Sequence, residues 1–142
     1  MRPTINQYLM SLAIKAADRS TCDRARVGCV IAINGHILST GYNGSLPNQP
    51  HCDDAGHLMK EGHCIRTVHA EMNAIAWAAR KGISIEGVAI FCTHFPCRLC
   101  AQTIISAGIV QLHYINDYRL DTNVLKMFRA ACVLFSKDNQ TV

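Results

Sequence analysis

The chain has 142 residues, 49% of them apolar, and its fourteen Lys or Arg against ten Asp or Glu give a formal charge of +4. That is enough material for one domain with a buried core, and there is neither a run of about eighteen apolar residues to span a bilayer nor a cationic start with an apolar stretch and a small-residue cleavage site. The expectation is a soluble, cytoplasmic protein forming a single domain over residues 1–142, with no membrane partner and too little positive charge for nucleic acid.

Eight cysteines in a reducing compartment do not read as a disulfide framework, which belongs to small secreted domains, so thiol chemistry or metal binding is the better question. Arg outnumbers Lys nine to five. The planar donor fork of Arg suits phosphate, although ordinary surface arginines account for the same bias.

The opening "TINQYLMSLAIKAADRS" sets Thr4 three residues before Gln7, a capping box, ahead of apolar residues at helical spacing. A helix is expected from about Ile5 to Arg19. In "VGCVIAINGHILSTGYNG", Asn34-Gly35 separates two β-rich runs, the signal of an antiparallel hairpin. From Ser45 to Arg66 periodicity disappears while Pro, Gly, His and Cys accumulate, which predicts a long loop. Cys52, His57, His63 and Cys64 lie in it, and a metal bound across them would replace the hydrophobic packing such a loop lacks.

"VHAEMNAIAWAARKG" predicts a helix from about His69 to Lys81 with a Gly cap. "GVAIFCTH" reads as a buried strand, and Pro96 introduces the helix "CRLCAQTIISAGI", stopped by Gly108. The strand "VQLHYIN", a helix from about Leu120 to Ala131 and a short strand "CVLF" follow. The sum is an α/β fold with one mixed sheet and helices on both faces. Cys29, Cys92 and Cys132 fall in apolar strand-like runs and are assigned to the core. His36, His51 and His113 read as incidental, and Trp77 as packing; His94 stays open because it adjoins "PCRLC".

Cys97 and Cys100 sit three apart at a helix start, on one face, where the helix dipole favours thiolates. That geometry alone permits a redox pair or a metal. "HAE" at 69–71 tips the balance: His69, Cys97 and Cys100 make three zinc ligands, the number typical of catalytic sites, and Glu71 is placed to move protons without ligating. The compound pattern, H-x-E followed by P-C-x-x-C, is the signature of zinc nucleobase deaminases.

With "VGCVI", "GYNGS", "HAEMNAI", "FPCRLC" and "AGI" in that order from about Ser11 to Arg119, the chain resembles the cytidine and deoxycytidylate deaminase superfamily, and within it the dCMP deaminase branch. The resemblance implies a three-layer α/β/α cytidine-deaminase-like fold with a five-stranded mixed sheet, zinc on His69, Cys97 and Cys100, and Glu71 as the catalytic proton carrier. The implied reaction is hydrolysis of dCMP to dUMP and ammonia, by water activated on zinc and attacking C4 of the ring.

It also implies substrate contacts from Asn43 to the sugar, from Ser20, Arg26 and Tyr118 to the phosphate, and from Thr93 to the base. Asn43, Ser20, Arg26 and Tyr118 also read as ordinary surface or turn residues, Asn43-Gly44 above all. An allosteric site at Gly41, Tyr42, Asn43 and Gly44, activated by dCTP and inhibited by dTTP, is implied as well, with Mg2+ accompanying a triphosphate effector, and so is a homohexamer. Some relatives bind a second, structural zinc through cysteines at the positions of Cys22 and Cys52. The expected site here is Cys22, Cys52, His57 and either Cys64 or His63.

Two other readings compete. Adenosine-tRNA, guanine and riboflavin-pathway deaminases share the zinc signature, though "AQTIISAGI" after Cys100 and the Cys/His-rich insert fit the dCMP branch better. A non-catalytic zinc-stabilised module of the competence or regulatory type would have no need of Glu71.

Overall fold

A computed structural model describes residues 1–139; the last three residues of the expected 1–142 domain lie outside it. In chain order the elements are α1 (Ile5–Ala17), β1 (Gly28–Ile33), β2 (His36–Tyr42), β3 (Gly44–Ser45), α2 (Cys52–Ala55), β4 (Met59–Lys60), β5 (His63–Cys64) and β6 (Thr67–Val68). Then come α3 (Ala70–Lys81), β7 (Ala89–His94), α4 (Arg98–Ser106), β8 (Gln111–Asn116), α5 (Thr122–Ala130) and β9 (Leu134–Lys137).

The main sheet has five strands in the order β2-β1-β7-β8-β9. It is mixed, as expected: β1 runs antiparallel to β2 and β7, while β7, β8 and β9 are parallel. Asn34 and Gly35 both take positive φ, 51° and 79°, and close the hairpin as a two-residue turn requires.

Alternation along β1 explains the three layers. Val30 and Ala32 pack with Leu9, Met10 and Ala13 of α1 on one face. Cys29 and Ile31 face the other way, into a larger cluster with Ala70, Ala74, Ile104 and Phe128 from α3, α4 and α5. Each Val, Leu, Ile, Met or Phe side chain so buried contributes about 1.5–3 kcal/mol. Gly28 lets α1 lie directly on β1, since a β-carbon there would sit 2.1 Å from the Ala13 carbonyl oxygen.

Four expectations change. The capping box of α1 forms between Thr4 and Gln7, but the helix ends at Ala17. The stretch 45–66 is not one featureless loop: it contains the single turn of α2 and the small β4–β5 ribbon, and β3 and β6 pair across its base. Cys132 is exposed, because it occupies a turn with φ of 57° between α5 and β9. His113 is buried rather than incidental: it stacks on Phe91 with ring centroids 4.5 Å apart and lies 2.9 Å from Ser136 Oγ.

Candidate active site and metal centres

Two helix N-termini meet beside the C-terminal end of β7. His69 is the N-cap of α3 and Cys97 the N-cap of α4, so Pro96 precedes the cap instead of opening the helix. The turn between β7 and α4 is pinned to β8, where the Asn116 carbonyl accepts from the Phe95 N–H at 2.8 Å and the Asn116 side chain donates to the Thr93 carbonyl at 2.9 Å.

The ligand atoms converge. His69 Nδ1 lies 3.5 Å from Cys97 Sγ and 3.4 Å from Cys100 Sγ. Zinc bonds of about 2.0–2.1 Å to nitrogen and 2.3 Å to sulfur, at tetrahedral angles, place neighbouring nitrogen and sulfur ligands about 3.6 Å apart, so both His69 pairs match zinc, and all three ligand atoms lie within 4.8 Å of one another. Helix dipoles at both caps add positive potential for the thiolates. A hydrogen bond from Cys100, aided by the His69 imidazole, draws the Cys97 thiol down to about 4, while the Cys97 partner and burial push Cys100 upward. The same Cys97 contact raises His69 against the effect of its burial.

Glu71, in the first turn of α3, is 4% exposed, and its Oε2 lies 3.5 Å from Cys100 Sγ. Burial raises its carboxyl above the usual range. His69, Glu71 and Cys97 border a cavity of about 460 Å³ that Asn43, His94 and Tyr118 also line, a size typical of small-molecule sites.

The substrate-contact candidates divide. Tyr118 borders the cavity, edge to face with His94 at 5.8 Å. Asn43 borders it too, yet both ends of its amide serve the backbone: Oδ1 accepts from the Val27 N–H at 2.8 Å and Nδ2 donates to the Ala25 carbonyl at 2.7 Å. Ser20, Arg26 and Thr93 do not line the cavity. The Ser20 hydroxyl is turned onto Cys22 O at 3.0 Å, and Arg26 donates to Ser20 O. Thr93 Oγ1 accepts from the Gly28 N–H and lies 2.8 Å from His94 Nδ1, so it braces the wall from behind.

Of the "GYNG" residues, Gly41 lies under the start of α3 and Tyr42 has the Arg19 guanidinium 5.9 Å over its ring. The cavity wall also holds Arg24 and Arg119, both exposed and neither part of a motif. Their only signal in the sequence is weak: the first follows Cys22 by two positions and the second follows Tyr118.

A second cluster gathers Cys22, Cys52, His57 and Cys64, whose ligand atoms all lie within 4.8 Å of one another. Cys22 Sγ is 3.5 Å from His57 Nδ1, and Cys52 Sγ is 3.5 Å from Cys64 Sγ. Four ligands in this spacing suit a closed zinc site. His57 Nε2 meets Asp23 Oδ1 at 3.0 Å, the outer carboxylate that commonly orients a metal-bound imidazole. Of the two candidates for the fourth ligand, Cys64 is in the cluster; His63 points elsewhere and accepts from Arg119 at 2.8 Å. Burial and its thiol neighbours push Cys52 up to about 12; against the burial of Cys64, the backbone N–H groups of Arg66 and Leu58 lower that thiol to about 6.

A family model described as the cytidine and deoxycytidylate deaminase zinc-binding region matches residues 3–116. ComE operon protein 2 of Bacillus subtilis is 42% identical over 128 residues, which cover 90% of this chain and 68% of that protein. The deoxycytidylate deaminase of Saccharomyces cerevisiae is 34% identical over 137 residues, 92% of this chain but only 44% of the yeast enzyme. Among solved structures, the dCMP deaminase of cyanophage S-TIM5 in complex with dCMP and dUMP is 32% identical with a TM-score of 0.84, covering 97% of this chain and 99% of that one. The family match begins before α1 and ends with β8, taking in both helix caps and every residue of the His69 cluster, and the chain therefore belongs to the cytidine and deoxycytidylate deaminase family.

Proposed function

We propose that this protein hydrolyses dCMP to dUMP and ammonia, with zinc on His69, Cys97 and Cys100 and with Glu71 carrying the proton. The observation that carries this reading is the set of three ligand atoms within 4.8 Å of one another beside a buried carboxylate, with His69, Cys97 and Glu71 bordering one cavity. The likeness to a cyanophage enzyme whose structure holds dCMP and dUMP supports the choice of substrate.

Zinc held by His69, Cys97 and Cys100 would supply a Lewis acid that makes water nucleophilic near neutral pH. Glu71 takes one proton from the water as its oxygen bonds to C4 and delivers it to N3, then takes the second from the resulting C4 hydroxyl and delivers it to the amine, which leaves as ammonia as the C4–N bond breaks and the C4 carbonyl forms. A carboxyl raised by burial suits a group that must hold a proton between these steps. Arg24 and Arg119, exposed on the cavity wall, are the cations that meet the 5′-phosphate, for which the guanidinium fork is well matched. Tyr118 and His94 shape the wall between phosphate and base, and Asn43 and Thr93 hold the backbone behind it.

The reading extends to control. It includes activation by dCTP with Mg2+, inhibition by dTTP through Gly41, Tyr42, Asn43 and Gly44, a homohexameric assembly and a cytoplasmic location, all supported by the family resemblance. Among the described residues no helix is long and apolar enough to cross a membrane. Substrate titrations with and without each effector test the control, and superimposable curves contradict it.

Ammonia release from dCMP, CMP, cytidine, dCTP and an adenosine-containing RNA tests the reaction. The highest kcat/KM is expected for dCMP; activity confined to the RNA contradicts the assignment.

A further inference from the structure

The β4–β5 ribbon has little of its own to hold it. Its strands are two residues long, its turn residues Glu61 and Gly62 take φ of 50° and 78°, and residues 59–63 are all exposed. Such a short isolated pair is not stable in water by itself. The ribbon is instead bracketed by two members of the second cluster, His57 before it and Cys64 at its end, while Cys22 joins that cluster from the loop between α1 and β1.

This cluster is continuous with the cavity of the active site, because Cys22 and Cys64 form part of the wall. Both wall arginines are also bonded to the ribbon, one at its turn and one at the start of β5. Arg24 donates through Nη2 to the Gly62 carbonyl at 3.2 Å, and Arg119 donates through Nη1 to His63 Nδ1 at 2.8 Å. The chain of contacts therefore runs from the four ligands, through residues 62 and 63, to the two cations on the cavity.

Resting on the nucleotide reading of the active site, we propose that the Cys22, Cys52, His57 and Cys64 cluster is a specificity determinant: metal held there fixes the ribbon, and the ribbon aims Arg24 and Arg119 at the substrate's 5′-phosphate. Its ligands are positioning residues. Loss of that metal weakens recognition of the phosphate and leaves recognition of the sugar and base, whereas a clamp serving stability alone would weaken both together or neither.

Cys52→Ser tests this, since Cys52 is a ligand that does not border the cavity. The readouts are zinc per chain and calorimetric affinity for the product dUMP and for deoxyuridine, which lacks the phosphate. The wild type should hold two zinc ions and prefer dUMP. In the variant one zinc should remain, dUMP affinity should fall at least about tenfold, the scale of a single charge-assisted hydrogen bond, and deoxyuridine affinity should change less than about twofold.

A second variant covers failure of the first to fold. Asp23→Asn alters a side chain that is 71% exposed and should weaken the second zinc by about 10–100-fold. As a chelator strips that zinc, dUMP affinity should decline in step with it at constant deoxyuridine affinity.

Loss of the second zinc with the dUMP preference intact, in either variant, overturns the coupling alone, and so does a wild type that holds a single zinc. A wild type that binds dUMP no better than deoxyuridine overturns the nucleotide reading and the coupling with it.

Discussion

Gly41 in β2 and Ala70 at the start of α3 are so close that a β-carbon on Gly41 would lie 2.2 Å from the Ala70 carbonyl oxygen and 2.7 Å from Ala74 N. Both obstacles are backbone, so no side chain can swing aside. Ala70 stands between His69 and Glu71, and this contact sets the height of a metal ligand and of the proton carrier above the sheet. Gly41→Ala must lift α3. The expected cost is about 1–3 kcal/mol of stability, the usual range for overpacking, together with reduced kcat/KM for dCMP. Thermal melts and kinetics check this, and a variant with wild-type Tm and activity contradicts it.

Asn43 presents a different kind of constraint. Its buried amide satisfies the Val27 N–H and the Ala25 carbonyl, fixing the loop that leads into β1. Asn43→Ala leaves those groups without their partner, at an expected cost of about 1–3 kcal/mol. Urea denaturation should show the loss, and Asn43→Asp, which keeps the acceptor for Val27, should fall between variant and wild type. Equal stability of all three proteins contradicts a bracing role.

Burial holds the His94 imidazole below its usual pKa, beside Thr93 Oγ1. The folded protein therefore prefers His94 neutral. Its contribution to stability is present above the ordinary value of about 6.5 and is lost as pH falls toward and through the lowered folded value. The Tm of the wild type should decline between pH 7.5 and pH 5 more steeply than that of His94→Gln. Parallel curves contradict the assignment of this slope to His94.

Much of this architecture is legible in local pattern. The capping box at Thr4 and Gln7, the Asn34-Gly35 turn and the Gly82 cap each act over a few residues, so sequence spacing carries them. The pairing of "HAE" with "PCRLC" is non-local, yet helix-start placement of His69 and Cys97 puts both at caps, where the fold brings them together. What sequence hid is contact between segments without a motif. Nothing in "CDRAR" says that Arg24 bonds Gly62, or in "DYRL" that Arg119 bonds His63. His113 looks like a strand-surface residue until Phe91 and Ser136 are seen against it. Thr93 and Ser20 are polar residues near the cavity in sequence terms, but neither lines it: the Ser20 hydroxyl bonds the Cys22 carbonyl, and Thr93 Oγ1 serves the Gly28 N–H and the His94 ring.

In the proposed reaction Glu71 moves the proton at a site whose zinc is held by His69, Cys97 and Cys100. Glu71→Gln keeps the shape of the side chain and removes its ability to exchange a proton, so ammonia release from dCMP by the purified variant is the most direct measurement. The expected result is unchanged zinc content, dUMP binding close to wild type, and a fall in kcat of about 10²–10⁴-fold, the range supplied by a positioned acid-base group. Turnover at the wild-type rate with zinc in place would contradict it.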